Sequence, residues 1–153
     1  MGESAAAALT IAAENCYCTL ALTMNYIPLV ARIFLSVIFL RSGIGKILDF
    51  GGTQQQIAGI GIPLALAGLL AVGSIIFELA GALSVLLGYK ARWGAIALII
   101  FLVPTTLIFH TNFAQEMQVI QFLKNLGLVG GLLMVVYFGS GPVSFDARTK
   151  QSV

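Results

Sequence analysis

Arg32, Lys46, Glu78, His110 and Lys124 stand inside, or at the ends of, stretches otherwise built from Leu, Ile, Val, Ala, Phe and Gly. An ionised group at mid-bilayer costs at least about 2.5 kcal/mol by insertion scales, so such residues normally turn to the interior of a helix bundle and find partners. Two kinds of chemistry follow. Arg32 and Glu78 have opposite charges and suit a buried ion pair, which either locks two helices together or also moves protons. Lys46, His110, Asn112, Glu116, Gln121, Lys124 and Asn125 gather near one membrane face. Lys, His and Asn all offer hydrogen-bond donors. The cluster therefore suits an anionic or quinone-like head group or a proton relay; the plainer alternative is a wet interface of long side chains snorkelling outward.

Helical periodicity sorts these residues onto faces. At 100° per residue, Arg32, Ser36, Gly43 and Lys46 share one side of their helix, while Arg41 points the opposite way. Ala67, Ala71, Ser74, Glu78, Ala82 and Val85 form a stripe of mostly small residues, the kind of face that lets membrane helices approach around a polar group. Counting about 1.5 Å per residue from the near helix ends puts Arg32 roughly 8 Å deep and Glu78 roughly 13 Å deep, within mutual reach. An Arg32–Glu78 pair is the expectation. Lys124 shares a stripe with Gln121, Leu128, Gly131 and Val135, and Gly127 with Gly131 makes a Gly-x-x-x-Gly approach surface.

The elements that must carry these side chains are membrane spans. Apolar residues make up 59% of 153 and charged ones only 9%, and mean hydropathy is +1.00. The implied fold is an all-α membrane protein: a four-transmembrane-helix bundle with a short interfacial segment between helices 1 and 2. The four-helix domain covers 26–142, with spans of about 27–47, 63–87, 93–110 and 119–138, and a polar tail follows over 143–153. Pro28 opens the first span, where its missing N–H costs nothing. The Gly- and Gln-rich stretch from Asp49 to Ile62 supplies the interfacial segment, Pro104 is expected to kink the third span, and Gly139-Ser140-Gly141-Pro142 stops the fourth. An even number of spans returns the chain to its starting side. Lys90, Arg92, Arg148 and Lys150 collect there, which by the positive-inside rule puts both termini in the cytoplasm.

Several function classes drop out. A net charge of +2 with scattered basic residues is no nucleic-acid surface. One histidine and two distant cysteines make no usual metal shell, so no metal is expected. Gly43-Ile44-Gly45-Lys46 lacks the strand and loop of a phosphate-binding motif, and no self-sufficient catalytic motif appears. Residues 1–25 read as an N-terminal extension without the positive start of a secretory signal. Cys16 and Cys18 in it have neither Cys-x-x-Cys spacing nor companions for a zinc site, so the pair reads as non-catalytic. Met24 directly precedes the apolar switch at Tyr26-Ile27-Pro28, so translation from Met1 and from Met24 both stay open, to be decided by intact mass.

The order of these features resembles the DoxX family of small four-helix bacterial membrane proteins. The resemblance rests on Arg32, then Ser42-Gly43-Ile44-Gly45-Lys46, Phe77-Glu78-Leu79-Ala80-Gly81, Leu87-Gly88, Arg92, His110, Lys124-Asn125-Leu126 and Gly141-Pro142-Val143-Ser144-Phe145-Asp146, across about Pro28 to Asp146. It implies a bundle in the bacterial cytoplasmic membrane, surrounded by lipid, that serves as membrane subunit or anchor of a quinone-linked oxidoreductase with redox partner subunits. The matching polar residues are Arg32, Lys46, Glu78, His110, Lys124, Asn125 and Asp146. The residues themselves make no cofactor evident, and a quinone is the one that the resemblance allows. The alternatives are a non-enzymatic membrane scaffold and, less strongly, small-solute transport, for which four spans would need a homo-oligomer.

Overall fold

A computed structural model describes residues 24–151. The expectations about the N-terminal extension, Cys16 and Cys18 concern residues outside those described, except for Met24 and Asn25. Among the described residues every regular element is helical: α1 (Ile27–Leu48), α2 (Phe50–Ala58), α3 (Leu64–Leu87), α4 (Ala91–Phe109), α5 (Glu116–Phe138) and α6 (Phe145–Gln151). Helices α1, α3, α4 and α5 are each long and apolar enough to cross a membrane.

The packing follows from composition. Many large apolar side chains point outward, with Phe34 69%, Leu69 71% and Trp93 71% exposed, while small residues such as Ala67, Ala71, Ser74, Ala82, Ala91 and Ala95 are buried alongside Phe39, Leu98, Leu102, Leu128 and Leu132. Lipid is as apolar as leucine, so burying leucine adds little drive, and close backbone approach at small residues brings such helices together. The clearest case is the α3–α4 contact: a methyl group on Gly81 would meet Leu98 Cγ at 2.7 Å, and one on Gly94 would lie 3.0 Å from the Gly81 carbonyl oxygen. Gly131 likewise backs onto Leu35, but Gly127 faces open space, so the expected Gly-x-x-x-Gly surface is used at only one of its two glycines.

Helices α1, α3, α4 and α5 pack in an arc, each against the next in that order, while α1 and α5 touch sparsely and leave a seam. Helix α2, capped by the Asp49 carboxylate on the Gly52 N–H at 3.0 Å, lies against α3. It is the interfacial segment expected between the first two spans. Two boundaries differ from the expectation. Helix α5 begins at Glu116, whose acidic side chain suits the positive end of the helix dipole. Helix α4 begins at Ala91 and runs unbroken through Pro104 to Phe109.

Residues 143–151 are more than a polar tail. Ser144 Oγ accepts from the Ala147 N–H at 3.1 Å and starts α6. Asp146 Oδ1 accepts the Lys90 N–H at 2.8 Å and Oδ2 the Ala91 N–H at 3.2 Å. These are donors at the start of α4 that no preceding turn can satisfy. Lys90, the only described non-glycine residue with positive φ (49°), is held in this left-handed conformation by the contact. Gly88 (φ 67°) closes α3 in a Schellman turn, with the Tyr89 N–H on the Ser84 carbonyl and the Gly88 N–H on that of Val85. The Asp146 N–H returns to the Gly88 carbonyl at 2.9 Å. The C-terminal segment is thereby fastened across the α3–α4 turn.

Candidate functional site

The expected Arg32–Glu78 pair does not form. The carboxylate of Glu78 takes Lys46 instead, with Nζ 2.5 Å from Oε1, the one salt bridge among the described residues. The reason lies in side-chain direction. In an α-helix each Cα–Cβ bond tilts toward the N-terminus. Arg32, five residues from the start of α1, is therefore directed out toward the near membrane face. Its Nε donates to the Pro28 carbonyl at 3.3 Å, Nη1 to Val85 at 3.5 Å and Nη2 to Val143 at 2.5 Å. Lys46, two residues from the end of the same helix, is directed inward, one turn back along α1, where Nζ also donates to Ser42 Oγ at 3.0 Å. The ammonium stands 5.7 Å from the centre of the Phe101 ring.

Arg32 is 1% exposed and bonded only to carbonyl oxygens. It ties the start of α1 to the end of α3 and to the segment before α6. This is a structural clamp at the face carrying Tyr26, Tyr89, Trp93 and Tyr137, aromatic residues of the type that anchor at membrane–water boundaries.

The opposite half of the bundle holds a half-open cavity of about 890 Å³. It is walled by all four long helices and by α2, which contributes Thr53, Gln56 and Ile57. Of the residues expected in the polar cluster, Lys46, His110, Gln121, Lys124 and Asn125 line it; Asn112 does not, and is exposed in the α4–α5 connection. Glu116 opens α5 away from the lining. Glu78 joins the lining from α3 with Ser74, and so do Arg41 and Ser42 from α1. Phe39, Phe101, Leu102, Phe109 and Leu128 supply apolar wall.

The polar groups are organised. His110 Nδ1 lies 2.8 Å from Gln118 Oε1, which joins the end of α4 to the first turn of α5. Asn125 Nδ2 donates to Thr106 Oγ1 at 2.9 Å, and that hydroxyl donates to the Leu102 carbonyl at 2.7 Å. Sequence reasoning missed Arg41 as a cavity residue. A wheel drawn on α1 alone puts it opposite Arg32, and only the placement of α2 and the α1–α5 seam shows that this side borders the cavity. Arg41 has no polar partner among the described residues, and Lys124 is exposed. The described residues hold no group of three or more His, Cys, Asp or Glu able to bind a metal ion.

Comparison with known proteins agrees with this architecture. The family described as DoxX matches residues 27–111, from the start of α1 to just past α4. The chain is 36% identical over 118 residues to "Inner membrane protein YqjF" of Escherichia coli K12, covering 77% of this chain and 88% of that one. It is 32% identical over 125 residues to "Inner membrane protein YphA" of the same organism, covering 78% and 88%. A more distant similarity, 27% over 82 residues, is to "ER-derived vesicles protein ERV29" of Saccharomyces cerevisiae, covering half of this chain and 26% of that one. No solved structure gives a significant match.

Proposed function

The chain belongs to the DoxX family, and on that footing we propose that it is a multi-pass protein of the bacterial cytoplasmic membrane that holds a quinone head group for an oxidoreductase complex. The observation that carries the reading is the cavity of about 890 Å³ in one half of the bundle, whose lining sets several polar groups among apolar side chains. Pockets for small amphiphiles typically measure about 300–1,000 Å³ and combine mostly apolar walls with a few placed polar groups. A quinone needs that mixture: donors for its carbonyl oxygens and an apolar surface for its ring and tail. Lys46, His110, Lys124 and Asn125 are the donors, and Phe101, Phe109 and Leu128 are wall.

On this reading Lys46 and Glu78 define the polar end of the site, and His110 with Gln118 fixes the α4–α5 end. A soluble redox partner docks outside the membrane and exchanges electrons with the bound quinone; this chain supplies binding and orientation. Both termini and the α3–α4 turn face the cytoplasm, where Lys90, Arg92 and Arg148 satisfy the positive-inside rule. One observation favours the alternative of a non-enzymatic scaffold: the Lys46–Glu78 pair also joins α1 to α3 and would hold the bundle together without any ligand.

The test is extraction in mild detergent followed by mass spectrometry for bound quinone and co-purifying flavoprotein. Bound quinone that is lost in His110→Ala and Lys124→Ala supports the site. Absence of both quinone and redox partner from a stable particle, with Glu78→Gln lowering only thermal stability, supports the scaffold.

A further inference from the structure

We propose that the α1–α5 seam binds a long-chain carboxylate, its head group held by Arg41 and Lys124 and its chain laid along the apolar half of the seam. The proposal goes beyond the quinone reading and does not depend on it. The first observation is charge. Three cations, Arg41, Lys46 and Lys124, and one carboxylate, Glu78, line the cavity, and Lys46 takes that carboxylate. Arg41 and Lys124 are exposed in the lining and have neither a hydrogen bond nor an ion pair among the described residues. The nearest acids along their helices, Asp49 and Glu116, each stand eight residues away, about 12 Å.

Both cations lie within spans. Arg41 is seven residues before the end of α1 and Lys124 eight after the start of α5, about 10 Å and about 12 Å below those helix ends. Arg41 also leans toward the N-terminus of α1, down the seam and away from the near face. Cations at such depth need a counter-charge. The arginine fork matches a carboxylate, and a lysine ammonium adds a second charge.

The second observation is an apolar groove of about 550 Å³ further along the same seam. On α1 the lining steps from Arg41 and Ile38 in the cavity to Phe34 and Ala31 in the groove, and Ile38 borders both. On α5 it steps from Lys124 and Leu128 in the cavity to Gly131 and Val135 in the groove. Each step is three or four residues, so one face of each helix carries cations at one end and apolar side chains at the other. Arg32, the only charged side chain lining the groove, is bonded to three carbonyl groups. From Arg41 to Pro28 at the far end of the groove is thirteen residues, about 20 Å, the reach of a long fatty acyl chain. A phospholipid keeps its phosphate at the membrane surface, whereas the small head of a fatty acid can sink to the depth of Arg41.

The experiment uses the full chain in phosphatidylcholine nanodiscs and palmitate carrying a mid-chain diazirine, with the labelled residues mapped by mass spectrometry. Saturable labelling of groove residues is expected, displaced by unlabelled palmitate at concentrations about tenfold or more below those needed of its methyl ester, as two basic residues beside an anion at a membrane imply. Hexanoate and phosphatidylglycerol should displace it poorly. Arg41→Gln, a residue that the quinone reading does not use, should lower labelling several-fold, and Arg148→Gln, the same charge change at the other end of the bundle, should not. Equal displacement by the ester, by hexanoate or by phosphatidylglycerol overturns the proposal, as does unsaturable labelling; these comparisons use the unaltered chain and do not depend on a variant folding. None of these results depends on whether quinone co-purifies, so the two readings fail separately.

Discussion

Arg32 and Lys46 have the same charge and share one stripe of one helix, yet the first is directed to the membrane face and the second into the bundle. Only position along α1 separates them, because both side chains lean toward its N-terminus. The wheel and the depth count treat side chains as radial, and this is why they join Glu78 to Arg32 when the partner is Lys46. At this scale the sequence picks out Lys46, His110, Gln121, Lys124 and Asn125 from the cavity's polar lining but not Arg41, Ser42, Thr53, Gln56, Ser74 or Thr105, since a charged or amide group in an apolar run stands out where a hydroxyl does not. Two expectations follow. Lys46→Met leaves the Glu78 carboxylate buried without its counter-charge and should destabilise the protein by about 3 kcal/mol, with the Lys46→Met/Glu78→Gln double variant recovering much of the loss. A double-mutant cycle by thermal unfolding in detergent checks this, and additive losses would mean that the pair is not coupled. Arg32→Lys should be nearly as damaging as Arg32→Ala, because a single ammonium cannot reproduce a guanidinium spread across three carbonyl groups, and the same unfolding measurement compares them.

Helices were the most legible elements. Four long apolar runs leave little choice of span, and their ends fall where Pro, Gly or polar residues interrupt hydropathy, with α5 starting three residues earlier than hydropathy alone indicates. What stayed hidden depends on contacts between elements far apart in sequence. No local pattern tells that Asp146 caps α4, 55 residues earlier. Loss of that cap in Asp146→Ala should cost about 1 kcal/mol and loosen the C-terminal segment, seen as a lower unfolding temperature and faster amide exchange at Lys90 and Ala91. The glycines divide in the same way. Gly94→Ala would place a methyl 2.5 Å from Ser84 Oγ and 3.0 Å from the Gly81 carbonyl oxygen, so α3 and α4 must separate, at a cost of about 1–3 kcal/mol. Gly127→Ala meets nothing within 4 Å and should be neutral or stabilising by up to about 1 kcal/mol through helix propensity. A Gly127→Ala loss as large as that of Gly94→Ala would contradict the packing described for α5.

The molecule as a whole is polar at both ends in different ways. At one end the Arg32 clamp, the Asp146 cap and the bonded hydroxyls of Ser140 and Ser144 fasten the bundle. At the other, the cavity is lined by the Lys46–Glu78 pair and by two cations, Arg41 and Lys124, without an acidic partner among the described residues. On the proposed reading the cavity is the binding end of the bundle, and its direction in the membrane decides from which side the ligand's polar head is served. The fastened end holds Lys90, Arg92 and Arg148, while the α4–α5 connection at the binding end, 110–115, has no Lys or Arg. Positive loops stay in the cytoplasm, so the fastened end should face inward and the cavity should lie in the outer half of the membrane. Single cysteines at Tyr89 and Asn112, in a chain with Cys16 and Cys18 changed to Ser, test this with a membrane-impermeant maleimide on intact cells. Asn112→Cys should label from outside and Tyr89→Cys only after permeabilisation; the reverse pattern would invert the topology and put the cavity in the cytoplasmic half, within direct reach of a cytoplasmic redox partner.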